Sequence, residues 1–151
     1  MQFAHSFDVE RPHAEVWTFV RDVPSVLACI PGVKSATPNG ENRYQAVVTE
    51  RVGPFKVEFH VDADVVEPEP GRRLEAKGGG KDVLLGSTMQ LKITVTLDET
   101  PSGGTRVTVD TDLSVLGKLA TLGFGIMQRK AQENMNQFAA NMKRRVEEGA
   151  S

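Results

Sequence analysis

The sequence predicts one α+β domain, residues 1–151, in which a curved antiparallel β-sheet wraps around a long C-terminal helix and encloses an apolar cavity. Three observations support this fold class. Residues 116–146 carry an apolar stripe at helical spacing, most of the preceding chain alternates between apolar and polar side chains, and two short helical segments follow the first alternating stretch. A helix with one long apolar face needs a broad apolar surface, and in this chain only a sheet supplies one.

The N-terminal part predicts one strand and two short helices. Residues 2–10 alternate between apolar and polar side chains and therefore predict a strand. Pro12 suits the first turn of a helix, and Pro24 begins a second short helix that reaches Cys29. Pro31 and Gly32 end this helix because neither residue continues a helix easily.

The central part predicts a series of antiparallel strands, at 44–52, 55–65, 72–77, 89–97 and 107–113. The strand 55–65 has the clearest alternation, which predicts one buried face and one solvent-exposed face. The glycine run 78–80 is predicted to open a mobile loop that continues to Gly86.

The C-terminal helix is predicted to run without a break over residues 116–146. Its apolar stripe consists of Leu119, Gly123, Met127, Ala131, Met135, Phe138, Met142 and Val146, with a parallel row at Leu116, Leu122 and Ile126. Methionine adapts to irregular spaces, and the glycines near the start of the helix lower its stability. Two interpretations stay open: an ordinary core helix, or a helix that closes a deformable apolar cavity.

The charge of the chain is uneven. The net charge is −2, which gives no overall argument for a nucleic acid or a membrane as partner. Residues 116–146, however, contain six basic residues and one acidic residue. Such a helix suits solvent, an anionic membrane surface or an acidic partner.

The N-terminus lacks a basic region followed by an apolar run, so no secretory signal is predicted. The longest apolar region, 113–127, is too short to span a bilayer and contains Lys118. A single cysteine, Cys29, excludes an internal disulfide and fits a reducing compartment. The protein is therefore expected to be cytoplasmic.

No catalytic or metal-binding residue is predicted. No two His, Cys, Asp or Glu residues have the spacing of a metal site, and the run Gly78-Gly79-Gly80-Lys81 lacks the Ser or Thr that completes a phosphate-binding loop. Aromatic residues do not interleave with basic ones, so no nucleic-acid partner is predicted. The sequence favours a binding protein over an enzyme.

A concave apolar interior with few polar groups suits a lipid-like ligand. Tyr44, His5 and Lys130 could each supply a polar contact to the head group of such a ligand.

Four motifs resemble a known family: Phe7-x-Val9-x-x-Pro12-x-x-x-Val16-Trp17-x-Phe19, Cys29-Ile30-Pro31-Gly32, Val52-Gly53-Pro54-Phe55 and Gly117-x-Leu119-Ala120-x-Leu122-Gly123. Together they resemble the CoxG family, the G subunit of carbon monoxide dehydrogenase. The order of the elements also resembles the helix-grip fold of the START/SRPBCC superfamily. The resemblance covers nearly the whole chain.

The resemblance implies an accessory protein that links molybdenum-containing CO dehydrogenase to the inner face of the cytoplasmic membrane as a peripheral protein. The expected ligand is a quinone, menaquinone or ubiquinone, held in the apolar cavity and delivered to the dehydrogenase as electron acceptor. No covalent cofactor is expected. Two alternatives stay open: a small-molecule enzyme of the polyketide cyclase or aromatase type, and a docking module with a filled core.

This interpretation assigns two sets of residues. The predicted ligand-binding residues are Leu27, Ile30, Tyr44, Phe55, Val57, Phe59, Met89, Leu91, Leu116, Leu119, Gly123, Ile126, Met127, Lys130 and Met135. The predicted membrane-contacting residues are Leu116, Leu119, Leu122 and Phe124.

Overall fold

The computed structural model describes residues 1–149, and its largest element is a seven-stranded antiparallel sheet that packs against a long helix. The elements are β1 (Gln2–Val9), α1 (His13–Arg21), α2 (Val23–Leu27), β2 (Val33–Pro38), β3 (Arg43–Val52), β4 (Phe55–Glu69), β5 (Arg73–Asp82), β6 (Thr88–Glu99), β7 (Thr105–Leu116), a 3₁₀ helix (Lys118–Leu122) and α3 (Phe124–Glu147). The strand order is β1-β7-β6-β5-β4-β3-β2. The predicted fold class is confirmed.

The sheet contains one strand that the sequence pattern did not predict. Strand β2 (Val33–Pro38) is short, its register with β3 shifts between Val33 and Ser35, and it forms one edge of the sheet. Its apolar and polar residues do not alternate cleanly, which is why periodicity missed it. Pro38 is tolerated because an edge strand needs fewer backbone hydrogen bonds.

The prediction of a mobile loop at residues 78–86 is wrong for the glycine run. Residues 78–80 lie inside β5 and pair with β4 on one side and β6 on the other. A Cβ atom at Gly78 would lie 2.3 Å from the Asp62 carbonyl oxygen, and one at Gly80 would lie 2.1 Å from the His60 carbonyl oxygen. Here glycine permits the close approach of two backbones rather than a loop.

The prediction of an unbroken helix over 116–146 is also wrong. Strand β7 continues to Leu116, and the 3₁₀ helix precedes α3, which has 24 residues. Gly117 and Gly123 flank the 3₁₀ helix with φ angles of 97° and 87°, a region that residues with side chains rarely adopt. The two glycines therefore turn the chain twice before α3 begins.

The C-terminal half of α3 packs into the main core. Phe138, Met142 and Val146 are buried in one cluster with residues of α1 and of strands β1, β4, β5, β6 and β7. The rings of Phe138 and Phe7 meet edge to face, 6.4 Å apart. The Glu147 carboxylate accepts a hydrogen bond from the Glu10 N–H at 2.8 Å, which ties the end of the helix to the end of β1.

A second, smaller cluster lies at the other end of the sheet. It consists of Val52, Val57, Phe59 and the buried Leu119 of the 3₁₀ helix. The N-terminal half of α3 extends towards this cluster, and its stripe residues Met127, Ala131 and Met135 are only half-buried. The packing of α3 is therefore tight at one end and loose at the other.

We predict opposite effects of alanine at two glycines. Gly80→Ala forces a methyl group against the His60 carbonyl and is expected to lower the free energy of unfolding by about 1–3 kcal/mol or more. Gly125→Ala, which meets nothing within 4 Å in the first turn of α3, is expected to raise it by up to about 1 kcal/mol. Urea denaturation measures both changes, and equal midpoints for the two variants would contradict the close approach of β4 and β5.

Candidate functional site

A cavity of about 370 Å³ lies between the inner face of the sheet and α3. Its volume falls within the range of roughly 300–1,000 Å³ that is common for small-molecule sites. The wall consists mainly of inward-facing side chains of strands β3 to β7, which occupy every second position of each strand. Helix α2 and the stretch of α3 from Met127 to Met142 supply most of the remaining wall.

Most of the predicted ligand-binding residues line this cavity, namely Leu27, Ile30, Tyr44, Val57, Phe59, Met89, Leu91, Leu119, Met127, Lys130 and Met135. Those in the strands face inward because the two-residue period of a strand fixes which side chains share a face. Those in α3 share one helical stripe that begins at Met127.

Four predicted residues, Phe55, Leu116, Gly123 and Ile126, lie outside the cavity wall. The break before α3 explains Leu116 and Gly123, because residues 116–123 do not follow the helical stripe on which the prediction relied. Ile126 lies within α3 and is exposed, so it falls outside the stripe that begins at Met127. Phe55 is the first residue of β4, and the Lys118 ammonium lies 5.6 Å from the centre of its ring. His5 is also absent from the wall; its ring lies beside Phe7 on β1.

Three polar residues that line the cavity, Glu50, Thr111 and Asn134, were not predicted from the sequence. Glu50 occupies the same face of β3 as Tyr44 and Val48, so the alternation of that strand was a usable signal. Asn134 lies seven residues after Met127, which is two turns along the same stripe.

Glu50 and Lys130 form an ion pair inside the cavity. The Lys130 ammonium lies 3.1 Å from one Glu50 carboxylate oxygen. The Lys130 side chain is 28% exposed, and the Glu50 side chain is 16% exposed. Among the described residues that line the cavity, Glu50 and Lys130 alone carry a charge. The pair therefore supplies a polar position of two opposite charges in a mainly apolar wall.

The Ile30-Pro31-Gly32 motif holds Glu50 in place. Gly32 has a φ angle of 85°, and a Cβ atom there would lie 2.4 Å from the Thr49 carbonyl oxygen and 2.9 Å from the second Glu50 carboxylate oxygen. The Thr49 N–H donates to the Gly32 carbonyl at 2.8 Å, so the turn before β2 is fastened to β3 beside the ion pair. Only glycine allows this approach.

A group of exposed apolar residues, which we call the apolar tip, lies near the smaller core cluster. Its members are Val83, Leu84, Leu116, Phe124 and Ile126. Hydrogen bonding and packing bring their segments together. The Leu119 N–H donates to the Ser87 hydroxyl oxygen at 2.9 Å, and Gly53 in the β3–β4 turn lies near Leu122 and Ile126.

Basic residues lie on the segments that carry the apolar tip and around the neighbouring β3–β4 turn. The segments 51–57, 81–88 and 114–129 carry five exposed basic residues, Arg51, Lys56, Lys81, Lys118 and Arg129. Their one acidic residue, Asp82, is buried. This end of the molecule is positive, although the chain as a whole is slightly negative.

The four predicted membrane-contacting residues differ in their exposure to solvent. Leu116 and Phe124 belong to the apolar tip and are 67% and 54% exposed. Leu122 is half-buried, and Leu119 is buried beside Val52 and Val57. Leu119 therefore supports the tip from inside, whereas Val83 and Leu84 were not predicted because their segment resembled a mobile loop.

Asp82 organises the loop that carries Val83 and Leu84. Its carboxylate accepts backbone hydrogen bonds from Glu58, Leu84 and Leu85 at 2.8, 3.0 and 2.8 Å. Burial alone would raise the pKa of Asp82, but the backbone N–H groups that face it hold this pKa below the ordinary value of 3.8. The loop at the apolar tip is therefore fixed by one buried carboxylate.

The described residues contain no group of three or more His, Cys, Asp and Glu side chains arranged to hold a metal ion. Among residues 1–149, no helix has the length and apolarity needed to span a bilayer. Cys29 is buried, and burial raises the pKa of its thiol more than the nearby Arg145 lowers it, so the thiol is a poor nucleophile.

Residues 6–147 match the family model of CoxG, the G subunit of carbon monoxide dehydrogenase. No curated protein matches the chain in sequence.

Solved structures share the fold at low identity. A conserved protein from Geobacillus kaustophilus has a TM-score of 0.86 at 19% identity, with 97% of this chain and 95% of that chain covered. A START superfamily protein from Mycobacterium smegmatis has a TM-score of 0.72 at 13% identity, with 97% of each chain covered. The Zhui aromatase/cyclase from Streptomyces sp. R1128 has a TM-score of 0.71 at 11% identity, with 97% and 93% covered.

We predict that Asp82→Asn weakens the fold in a pH-dependent way. A carboxylate with a depressed pKa stabilises the folded state fully above the unfolded pKa and loses this effect as the pH falls through the folded pKa. At neutral pH the substitution is expected to cost about 1–3 kcal/mol, and below about pH 4 the variant should show a shallower loss of stability than the unmodified protein. Thermal unfolding between acidic and neutral pH measures this.

Asp110→Asn is the control for this prediction, because Asp110 is exposed on β7. Its expected effect at neutral pH is within about 0.5 kcal/mol. Equal pH profiles for Asp82→Asn and the unmodified protein would contradict the role given to Asp82.

Proposed function

The chain belongs to the CoxG family of carbon monoxide dehydrogenase, and we propose that it is a non-catalytic accessory protein that carries a respiratory quinone in its apolar cavity. The family and the START-like fold support the coarser statement, a ligand-binding accessory protein. The observation that carries the finer proposal is the cavity itself, which combines a mainly apolar wall with the Glu50–Lys130 ion pair. A docking module with a filled core does not account for this space.

The two parts of a quinone match the two parts of the cavity. Each buried CH₂ group of an isoprenoid tail contributes about 0.8 kcal/mol, so even a partly buried tail binds firmly among Val, Leu and Met side chains. The ring of menaquinone or ubiquinone is uncharged and carries carbonyl oxygens. The Lys130 ammonium has three N–H donors, and Glu50 does not use all of them, so Lys130 can donate to one of these oxygens.

We predict that a tryptophan at position 127 blocks quinone uptake. Met127 lines the cavity, so the indole of Met127→Trp should occupy the space of the ligand and lower the amount of bound quinone at least about tenfold. Native mass spectrometry with lipid extraction, on protein from a quinone-producing host, measures the bound quinone. Ile126→Trp is the matched control, because Ile126 lies outside the wall at the neighbouring position of the same helix.

The two tryptophan variants distinguish the outcomes. Loss of quinone in Met127→Trp with retention in Ile126→Trp supports the cavity as the site. If neither the unmodified protein nor Ile126→Trp holds quinone, and neither takes it up from liposomes, the proposed function is wrong.

We further propose that the apolar tip contacts the inner face of the cytoplasmic membrane as a peripheral surface. Exposed apolar side chains gain free energy in the interfacial region of a bilayer, and each nearby Lys or Arg adds about 1 kcal/mol at an anionic surface. In the described chain, the two segments that carry the tip, 81–88 and 114–129, hold three exposed basic residues, Lys81, Lys118 and Arg129, and no exposed acidic residue. Membrane contact at this end would let a quinone pass from the bilayer into the cavity.

We predict that a glutamate in the apolar tip weakens binding to anionic vesicles. Leu84→Glu and Phe124→Glu each replace an exposed apolar side chain with a negative charge, and each is expected to lower the vesicle partition coefficient at least about tenfold. Val66→Glu is the control, because Val66 is similarly exposed, at 51%, but lies on β4 away from the tip. Vesicle co-sedimentation measures binding, and equal losses in all three variants would contradict the assignment of the tip.

The partner in this proposal is molybdenum-containing CO dehydrogenase, to which the bound quinone is delivered as electron acceptor. The family membership supports this partner. The direct test is CO-dependent reduction of quinone by the dehydrogenase in vesicles, which should accelerate when this protein is added and should not accelerate with the Met127→Trp variant.

A second candidate is a small-molecule enzyme of the polyketide cyclase type. The Zhui aromatase/cyclase shares the fold, and the Glu50–Lys130 pair offers a carboxylate and an ammonium within one cavity. Conversion of an aromatic polyketide precursor by the purified protein, with loss of conversion in Lys130→Met, would favour this candidate.

A further inference from the structure

Building on the proposed role as a ligand carrier, we propose that Glu50 makes the cavity selective for uncharged amphiphiles and excludes amphiphilic anions such as fatty acids. The same apolar wall would accept the alkyl chain of a fatty acid as readily as an isoprenoid tail. Selection between the two classes must therefore come from the polar position in the wall.

Lys130 alone would favour the wrong class of ligand. An ammonium group in an apolar cavity attracts a carboxylate or a phosphate, and the attraction is stronger there than in water because the local dielectric constant is lower. Glu50 removes this attraction, since one of its carboxylate oxygens lies 3.1 Å from the Lys130 ammonium. An incoming carboxylate would have to displace Glu50 or lie beside it as a like charge.

The surroundings of Glu50 prevent it from moving aside easily. Its backbone belongs to β3, which is paired with β2 and β4 on its two sides. Its second carboxylate oxygen packs against Gly32, where the Ile30-Pro31-Gly32 turn is fastened to Thr49. The counter-charge of Lys130 is therefore a fixed part of the wall.

The second Glu50 oxygen is buried and has no hydrogen-bond partner among the protein groups of the described residues. Lys130 is therefore the ion-pair partner that holds the Glu50 carboxylate in the wall.

A neutral ligand avoids this electrostatic conflict. A ligand carbonyl accepts a hydrogen bond from a free N–H of Lys130 and leaves the ion pair intact. The polar position therefore recognises an acceptor oxygen without adding a net charge to the cavity.

Isothermal titration with palmitate and with a naphthoquinone that carries a short isoprenoid tail tests this inference. The unmodified protein is expected to bind the quinone and to bind palmitate at least about tenfold more weakly. Glu50→Gln should raise the affinity for palmitate at least about tenfold. Adding Lys130→Met to Glu50→Gln should abolish the gain.

Glu58→Gln is the matched control, because Glu58 lies on the outer face of β4 beside His60 and outside the cavity wall. A second comparison needs no variant: the unmodified protein should bind methyl palmitate, which is uncharged, at least about tenfold more tightly than palmitate. Equal affinities for palmitate and its methyl ester would overturn the inference even if Glu50→Gln does not fold.

The inference and the proposed function fail in different ways. Equal palmitate affinities in the unmodified protein and Glu50→Gln, or equal affinities for palmitate and its methyl ester, overturn the role of Glu50 and leave quinone binding untouched. Absence of quinone binding overturns the proposed function, while the ratio of the two palmitate affinities still decides whether Glu50 excludes anions.

Discussion

The packing of Phe138, Met142 and Val146 against α1 and the sheet is the interaction on which the rest of the structure depends. It anchors α3 at its C-terminal end. Two hydrogen bonds fasten the same end to the N-terminal part of the chain: the Glu10 N–H donates to the Glu147 carboxylate, and the Asn141 side-chain amide donates to the Cys29 carbonyl oxygen. Because this end is fixed, the N-terminal half of α3 can lie over the sheet without filling the space beneath it. The cavity is a consequence of helix packing at one end only.

The main core and the cavity wall overlap. Side chains such as Val9, Val16 and Leu97 are fully buried in the core and do not line the cavity. Phe138 and Met142 belong to the core and also line the cavity. The side chains of Met89, Met127 and Met135 line the remaining space, and a flexible thioether adapts to irregular shapes.

Periodicity predicted the parts of the structure that depend on local geometry. In β4 and β6 the two-residue period predicted that Val57, Phe59, Met89 and Leu91 face inward, and all four line the cavity. This prediction did not require knowing which strands pair with β4 and β6. Glycine was harder to interpret, because the same residue permits a loop, a close approach of strands or a positive φ angle. Gly80 permits the close approach of β4 and β5, whereas Gly123 adopts a positive φ angle. Only the packed structure shows which of these functions each glycine has.

The polar part of the site was less accessible to sequence reasoning. Lys130 was predicted, but its partner Glu50 lies 80 positions earlier in the chain, and no local pattern joins the two. The alternation of β3 placed Glu50 on the inner face, yet its charge argued for the outer face. Only its long-range pairing with Lys130 resolves this conflict.

The pairing of the first strand with the last has a consequence for biosynthesis. The N-terminal ammonium donates to the carbonyl oxygen of Leu113, and β1 borders β7 along its whole length. On the ribosome, β1 therefore waits without its partner until residues 105–116 have been made, and such distant contacts slow folding. The cavity closes only after α3 has emerged as well, so its wall is assembled late.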